Sequence, residues 1–200
     1  MDFQQTHSDD THPTRDEFVF QSTATLLHWL LLATIVGLTL ITDHITKRIV
    51  VNSLSYGESW TPFAFLDGIF DITYTRNTGA AFGMGQRFSN VFLIIAVIVV
   101  VAIIYYYRHL PEGTWLVRLA LGLQMGGALG NALDRIFRGY VVDFFHVHGF
   151  PIFNIADSSI VVGTVILVAV LWWEDRQHSE ESENSSESVT ETEMSADSHG

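Results

Sequence analysis

Three aspartates set in apolar sequence, Asp134, Asp143 and Asp157, fall within one short stretch of the chain. Two of them close the same phrase, Asn131-Ala132-Leu133-Asp134 and Asn154-Ile155-Ala156-Asp157. Between these lies Val141-Val142-Asp143-Phe144, a carboxylate flanked by β-branched and aromatic residues. Carboxylates in lipid-facing or buried surroundings are costly, so each is by default a functional hypothesis. Two of them can cut a peptide bond without metal, serine or cysteine. One, ionised, takes a proton from the attacking water, and the other, protonated, hydrogen-bonds and then protonates the substrate. Such a pair holds one proton between them because a second nearby negative charge is unfavourable, and it titrates as a unit.

Three aspartates offer three possible pairs. Asp134 is followed directly by Arg135, which suits an ion pair and a supporting role. Asp143 has no Lys or Arg within four positions. Asp157 falls in the first turn of a helix whose positive end favours its charged form, with Asn154 as the capping residue. The asymmetry assigns the base to Asp157 and the proton to Asp143.

Other chemistries find less in the chain. The absence of cysteine removes disulfides, thiolate metal sites and thiol nucleophiles. No Gly-x-Ser-x-Gly elbow is present. His44, His146 and His148 are not arranged as His-Glu-x-x-His, and they read as loop histidines meeting water. No metal and no cofactor are expected.

The elements that position these groups read as a mainly α membrane protein. The formal charge of −12 sits in the tails: residues 1–23 hold five Asp/Glu against one Arg, and 174–200 hold nine against one. The body between is neutral and has no concentrated basic face, so nucleic acid is not an expected partner. The start of the chain is polar and acidic, unlike a cleaved signal peptide, so the first apolar segment is expected to stay. Residues 1–23 and 177–200 are expected to be disordered. Four apolar segments, 25–41, 91–107, 115–133 and 155–173, approach the ~20 residues needed to cross a bilayer. The third carries Gly122, Gly126 and Gly130 at helical spacing and reads as an interior helix. The connection between the first two segments alternates apolar and polar residues around Phe70 to Thr75 and predicts short strands. The expected architecture is a four-transmembrane-helix bundle over 24–176, with a small extracytoplasmic β-cradle at about 48–85. Lys47 lies one helical turn from Asp43. A bare count of Lys and Arg would put both tails outside, but several of these charges read as structural partners, so the count does not fix orientation.

The ordered motifs resemble those of lipoprotein signal peptidases (signal peptidase II), membrane aspartyl proteases of bacteria. The resemblance covers roughly residues 27–173. Its phrases are Asp43-His44-Ile45-Thr46-Lys47, Arg76 to Phe82, Gly126 to Arg135, Val141 to Phe144 and Phe153 to Ser158. It implies Asp143 and Asp157 as the catalytic dyad. Asn77, Gly79, Asn131, Arg135 and Asn154 would bind substrate, with Asp43, Lys47 and Asp134 in support. It further implies a monomer in the bacterial inner membrane with both termini cytoplasmic and the site near the outer face. The implied substrate is a diacylglyceryl-modified prolipoprotein held in membrane lipid and cut before its lipidated cysteine, with globomycin as inhibitor. Two features depart from the family's core pattern: the acidic tails, and a short connection from Asp143 to Asp157. The alternative reading is a small transporter or channel component with intramembrane aspartates as proton or cation ligands, which would need polar residues along a path through the bilayer.

Overall fold

The computed structural model of the protein describes residues 24–79 and 86–197. The expected N-terminal tail, which ends just before Ala24, and the Ala80-Ala81-Phe82 part of the second phrase lie outside them. The first helix, α1 (Leu26–Ser53), begins after Thr25. It runs a full three turns beyond the apolar segment seen in the sequence. Nothing in 42–53 is glycine or proline, and Asp43, Lys47 and Val50 recur on its buried face, so burial extends the helix past the hydrocarbon-like stretch. Short strand β1 (Ser59–Trp60) and strand β2 (Phe70–Asn77) follow. Helix α2 (Gln86–Tyr107) and helix α3 (Trp115–Arg138) come next. Strand β3 (Val141–Val147) then leads to α4 (Ile155–Asp197).

The sheet expected within 48–85 draws its third strand from beyond α3. Its order is β1-β2-β3, antiparallel throughout. The tail expected to lack structure from 177 onward continues α4 to Asp197. That stretch is rich in Glu, a good helix former, and has no glycine or proline to stop it.

Three helices are long and apolar enough to cross a membrane: α1, residues Asn90–Tyr107 of α2, and residues Ile155–Gln177 of α4. Their outward faces are greasy. On α2, Ile94, Val97, Ile98 and Val101 form one helical stripe, 57–61% exposed. A soluble protein has no use for such a face on three helices, and lipid satisfies it. Helix α3 is more polar and sits among the others, packing on α1, α2 and α4. Its glycine stripe meets an equally spaced row on α1. A Cβ at Gly122 would stand 2.8 Å from Ile35, and one at Gly126 would stand 2.7 Å from Thr39. Close backbone approach therefore depends on these glycines. At the other end of α3, Gly139 adopts the left-handed conformation (φ 77°) and returns its N–H to Arg135 O at 3.1 Å, ending the helix.

Two apolar clusters bracket the bundle. Leu32, Ile103, Tyr107 and Leu121 join α1, α2 and α3. Beside them Arg118 is fully buried, donating to Leu110 O at 2.8 Å and lying over the Tyr107 ring at 4.8 Å. It serves the end of α2 and is no free topogenic charge. Val50, Tyr74, Val142 and Phe144 seat the sheet on the last turns of α1.

Candidate active site

The chain brings Asp143 and Asp157 together through one asparagine. Asn154 precedes α4, and its Oδ1 accepts the Asp157 N–H at 2.9 Å, while its own N–H donates to Asp157 Oδ2 at 3.2 Å. This reciprocal pair is a capping box, the arrangement in which the third helical residue answers the cap. The Asn154 Nδ2 donates to Asp143 Oδ1 at 2.7 Å. One residue thus ties the two acids, its side-chain amide on the strand carboxylate and its backbone N–H on the helix carboxylate.

Each carboxylate has a second amide donor. Asn131 Nδ2 donates to Asp157 Oδ1 at 2.7 Å. Asn77 Nδ2 donates to Asp143 Oδ2 at 3.0 Å, and Asn77 Oδ1 accepts the Gly79 N–H at 2.9 Å. Asn77 reaches Asp143 because of an irregularity in the sheet. The register runs Ile72 opposite Phe145 and then Thr75 opposite Asp143, so Thr73 and Tyr74 together face Phe144. Unbroken pairing would turn Asn77 to the other face, since one residue of slip inverts every side chain. The bulge sets Asn77 on the face that Asp143 uses.

Asp143 is buried, 2% exposed. Burial pushes its carboxyl up from 3.8 to about 6. The hydrogen bond from Asn77 opposes this, the charge of Asp157 adds to it, and Asn154 and Lys47 oppose it again. A carboxyl held near neutrality beside a second carboxylate is the condition for one shared proton.

Beneath the pair lies a compact ionic cluster. Lys47 Nζ, 1% exposed, stands 2.8 Å from Asp43 Oδ2 and 2.9 Å from Asp134 Oδ2, and it donates to Asn131 Oδ1 at 3.2 Å. Asp43 Oδ1 accepts the Ala156 N–H at 3.0 Å, satisfying the first turn of α4 from α1. Asp134 Oδ2 accepts the Val142 N–H at 3.3 Å, and Oδ1 lies 3.4 Å from Arg138 Nη1. The pairing of Asp134 with Arg135 expected from adjacency is therefore replaced by Lys47 and Arg138. Neighbouring residues diverge around a helix, whereas residues four apart share a face. Arg135 turns instead toward the carboxylates, within electrostatic range of Asp157 and Asp143. Its Nη1 donates to Asn131 O at 3.2 Å and its guanidinium lies over the Phe92 ring.

A cavity of about 550 Å³ opens beside Asp157. Asn77, Gly79, Asn131 and Arg135 line its polar end, and Phe92, Ile95, Val99 and Ile160 its apolar wall. Helix α2 packs on α3 and has no comparable interface with α4 among the described residues, so this wall opens sideways between α2 and α4. Of the site residues expected from the sequence, Asn77, Gly79, Asn131, Arg135 and Asp157 line this cavity. Asp143 and Asn154 are hydrogen-bonded to that group, and Asp43, Lys47 and Asp134 form the ionic cluster. Phe92, Ile95 and Val99 went unmarked, because an apolar residue in an apolar span carries no local signal.

The profile of the peptidase A8 family, signal peptidase (SPase) II, matches residues 35–173. The chain is 39% identical over 144 residues to a lipoprotein signal peptidase of Halothermothrix orenii, spanning 71% of this chain and 95% of that protein. It is 42% identical over 131 residues to the lipoprotein signal peptidase of Bacillus subtilis, spanning 62% of this chain and 82% of that one. Among solved structures, a bacterial membrane enzyme determined by the in meso method superposes with a TM-score of 0.65 at 32% identity, covering 72% of this chain and 88% of that chain.

Proposed function

The chain belongs to the signal peptidase II family, and from that premise we propose how its residues perform aspartic peptidase chemistry on a lipid-modified precursor. Asp157, charged at the helix start, takes the proton of the attacking water. Asp143 gives the shared proton to the substrate's carbonyl oxygen as the water adds. When the tetrahedral intermediate collapses, the proton that Asp157 took from water passes to the departing amine and Asp143 recovers its own from the gem-diol oxygen. Asn154 keeps the two carboxylates in register. Asn131 and Asn77 donate to them, and Arg135 with Gly79 meets the peptide at the polar end of the cavity. The observation that carries this reading is Asn154 bonded to both carboxylates, to Asp143 through its side-chain amide and to Asp157 through its backbone N–H.

The substrate is a diacylglyceryl-modified prolipoprotein, cut before the lipidated cysteine. The sideways opening between α2 and α4 suits it: acyl chains stay in lipid against the apolar wall while the peptide reaches the acids. Helix α3, 24 residues long, serves as a fourth span, reaching roughly 36 Å at ~1.5 Å per residue. Both termini then lie in the cytoplasm of a bacterial cell, and the sheet rests as a cradle on the outer face of the inner membrane. As proposed, the protein works as a monomer, one chain supplying both acids and the groups around them. The transporter alternative gains nothing from the relatives.

The test is cleavage by purified full-length protein in detergent, using a prolipoprotein with and without its diacylglyceryl group. Only the modified form is expected to be cut. Asp143→Asn and Asp157→Asn should each lose at least ~10²-fold in rate, the usual scale of a general acid or base. Full activity in either variant, or equal cleavage of the unmodified precursor, overturns the assignment.

A further inference from the structure

Away from the two acids, the sheet carries a second constellation. The geometry points to a divalent-cation site, of zinc-binding character, formed by Asp71, His146 and His148. One ligand atom from each lies within 4.8 Å of those of the other two. The sheet itself makes the grouping: Asp71 on β2 stands directly opposite His146 on β3. His148 follows two residues later, on the same side, and its N–H is fixed to Ile69 O at 3.0 Å.

The donor set suits the metal. Two imidazole nitrogens and one carboxylate oxygen are ordinary zinc ligands, and three protein ligands leave a fourth position for water. Around a tetrahedral zinc with bonds of ~2.0–2.1 Å, ligand atoms stand about 3.4 Å apart. His148 Nε2 and Asp71 Oδ2 are already 3.5 Å apart. The widest separation, at most 4.8 Å, must close by about 1.4 Å, within reach of rotations of the His148 ring, which is 44% exposed. The outer shell is also present. Asp71 Oδ1 accepts from Thr61 Oγ1 at 2.6 Å, which orients the carboxylate and leaves Oδ2 for the ion. Thr73 Oγ1 stands 3.5 Å from His146 Nδ1 on the other flank.

His146 lies three residues along β3 from Asp143, about 10 Å at ~3.3 Å per residue, so the ion would not serve the water-activating pair. It would clamp the end of the β2–β3 pair where β2 begins and β3 finishes, and stabilise the sheet, because binding energy to a folded site is folding energy.

The experiment uses full-length protein in detergent, titrated with zinc chloride against a chromophoric chelator of known affinity, with thermal unfolding followed in parallel. One zinc per chain is expected, with a zinc-dependent rise in Tm that grows with free metal. His148→Ala and His146→Ala should each weaken binding at least tenfold and remove the rise in Tm. The chain has nine histidines, so the single variants separate this site from binding elsewhere. Absence of a stoichiometric zinc, or an affinity unchanged in both variants, overturns the proposal.

Discussion

Removing the Asn77 side-chain amide should move the pH dependence of cleavage upward. In the working form proposed above, Asp143 carries the shared proton. Its carboxyl lies at about 6 in the free protein, raised by burial and held from rising further by Asn77 and Asn154. As pH climbs through that value the proton is lost, so kcat/KM should fall about tenfold per unit on the alkaline side. The Asn77 amide donates at 3.0 Å and stabilises the ionised form. Hydrogen bonds to charged groups contribute ~1.5–3 kcal/mol, and one pKa unit corresponds to ~1.36 kcal/mol. Water entering from the open cavity recovers part of the loss, leaving an upward shift of about one unit. The assay is kcat/KM for a lipidated precursor from pH 5 to 9 in wild type and Asn77→Ala. A changed KM alone would lower the whole profile without displacing its alkaline limb. A limb that stays in place, or moves to lower pH, refutes the assignment of the proton to Asp143.

Two further perturbations probe the support beneath the acids. Lys47→Met leaves Asp43 and Asp134 buried without their shared cation, and breaking such a cluster costs ~3–5 kcal/mol; thermal unfolding in detergent should show it, and adding Asp43→Asn should restore part of the loss. Gly127→Ala places a Cβ against the Ala156 carbonyl oxygen and 2.8 Å from Ile160, so α4 must shift; ~1–3 kcal/mol of overpacking should accompany a ~10²-fold fall in rate as Asp157 moves by ~1 Å, and a variant with wild-type Tm and rate would contradict this.

Much of the site was legible because its chemistry is written in local phrases. Asn154-x-x-Asp157 announces a cap, and the cap is present. Asp43 and Lys47, four apart, meet as a helical pair. What escaped notice depends on contacts that no local phrase encodes. The bulge at Thr73 and Tyr74 emerges only when β2 is laid against β3, and the Val141 to Phe144 phrase carries a catalytic acid without any local mark of its strand. The true partners of Asp134 come from another helix and from the next turn, so adjacency misled. Apolar content marks only the membrane part of α1, while its last turns are held by buried charge that hydropathy does not register.

The reciprocal cap at the start of α4 has a consequence for inhibitor resistance. Under the proposed assignment, an inhibitor that engages Asn154 and Asp157 grips residues that begin a helix as well as perform chemistry. A substitution that weakened the inhibitor's hold there would also strip the helix of its first turn's hydrogen bonds. Escape variants should therefore arise on the apolar wall, at Phe92, Ile95 or Val99, and leave the asparagine and the acid untouched.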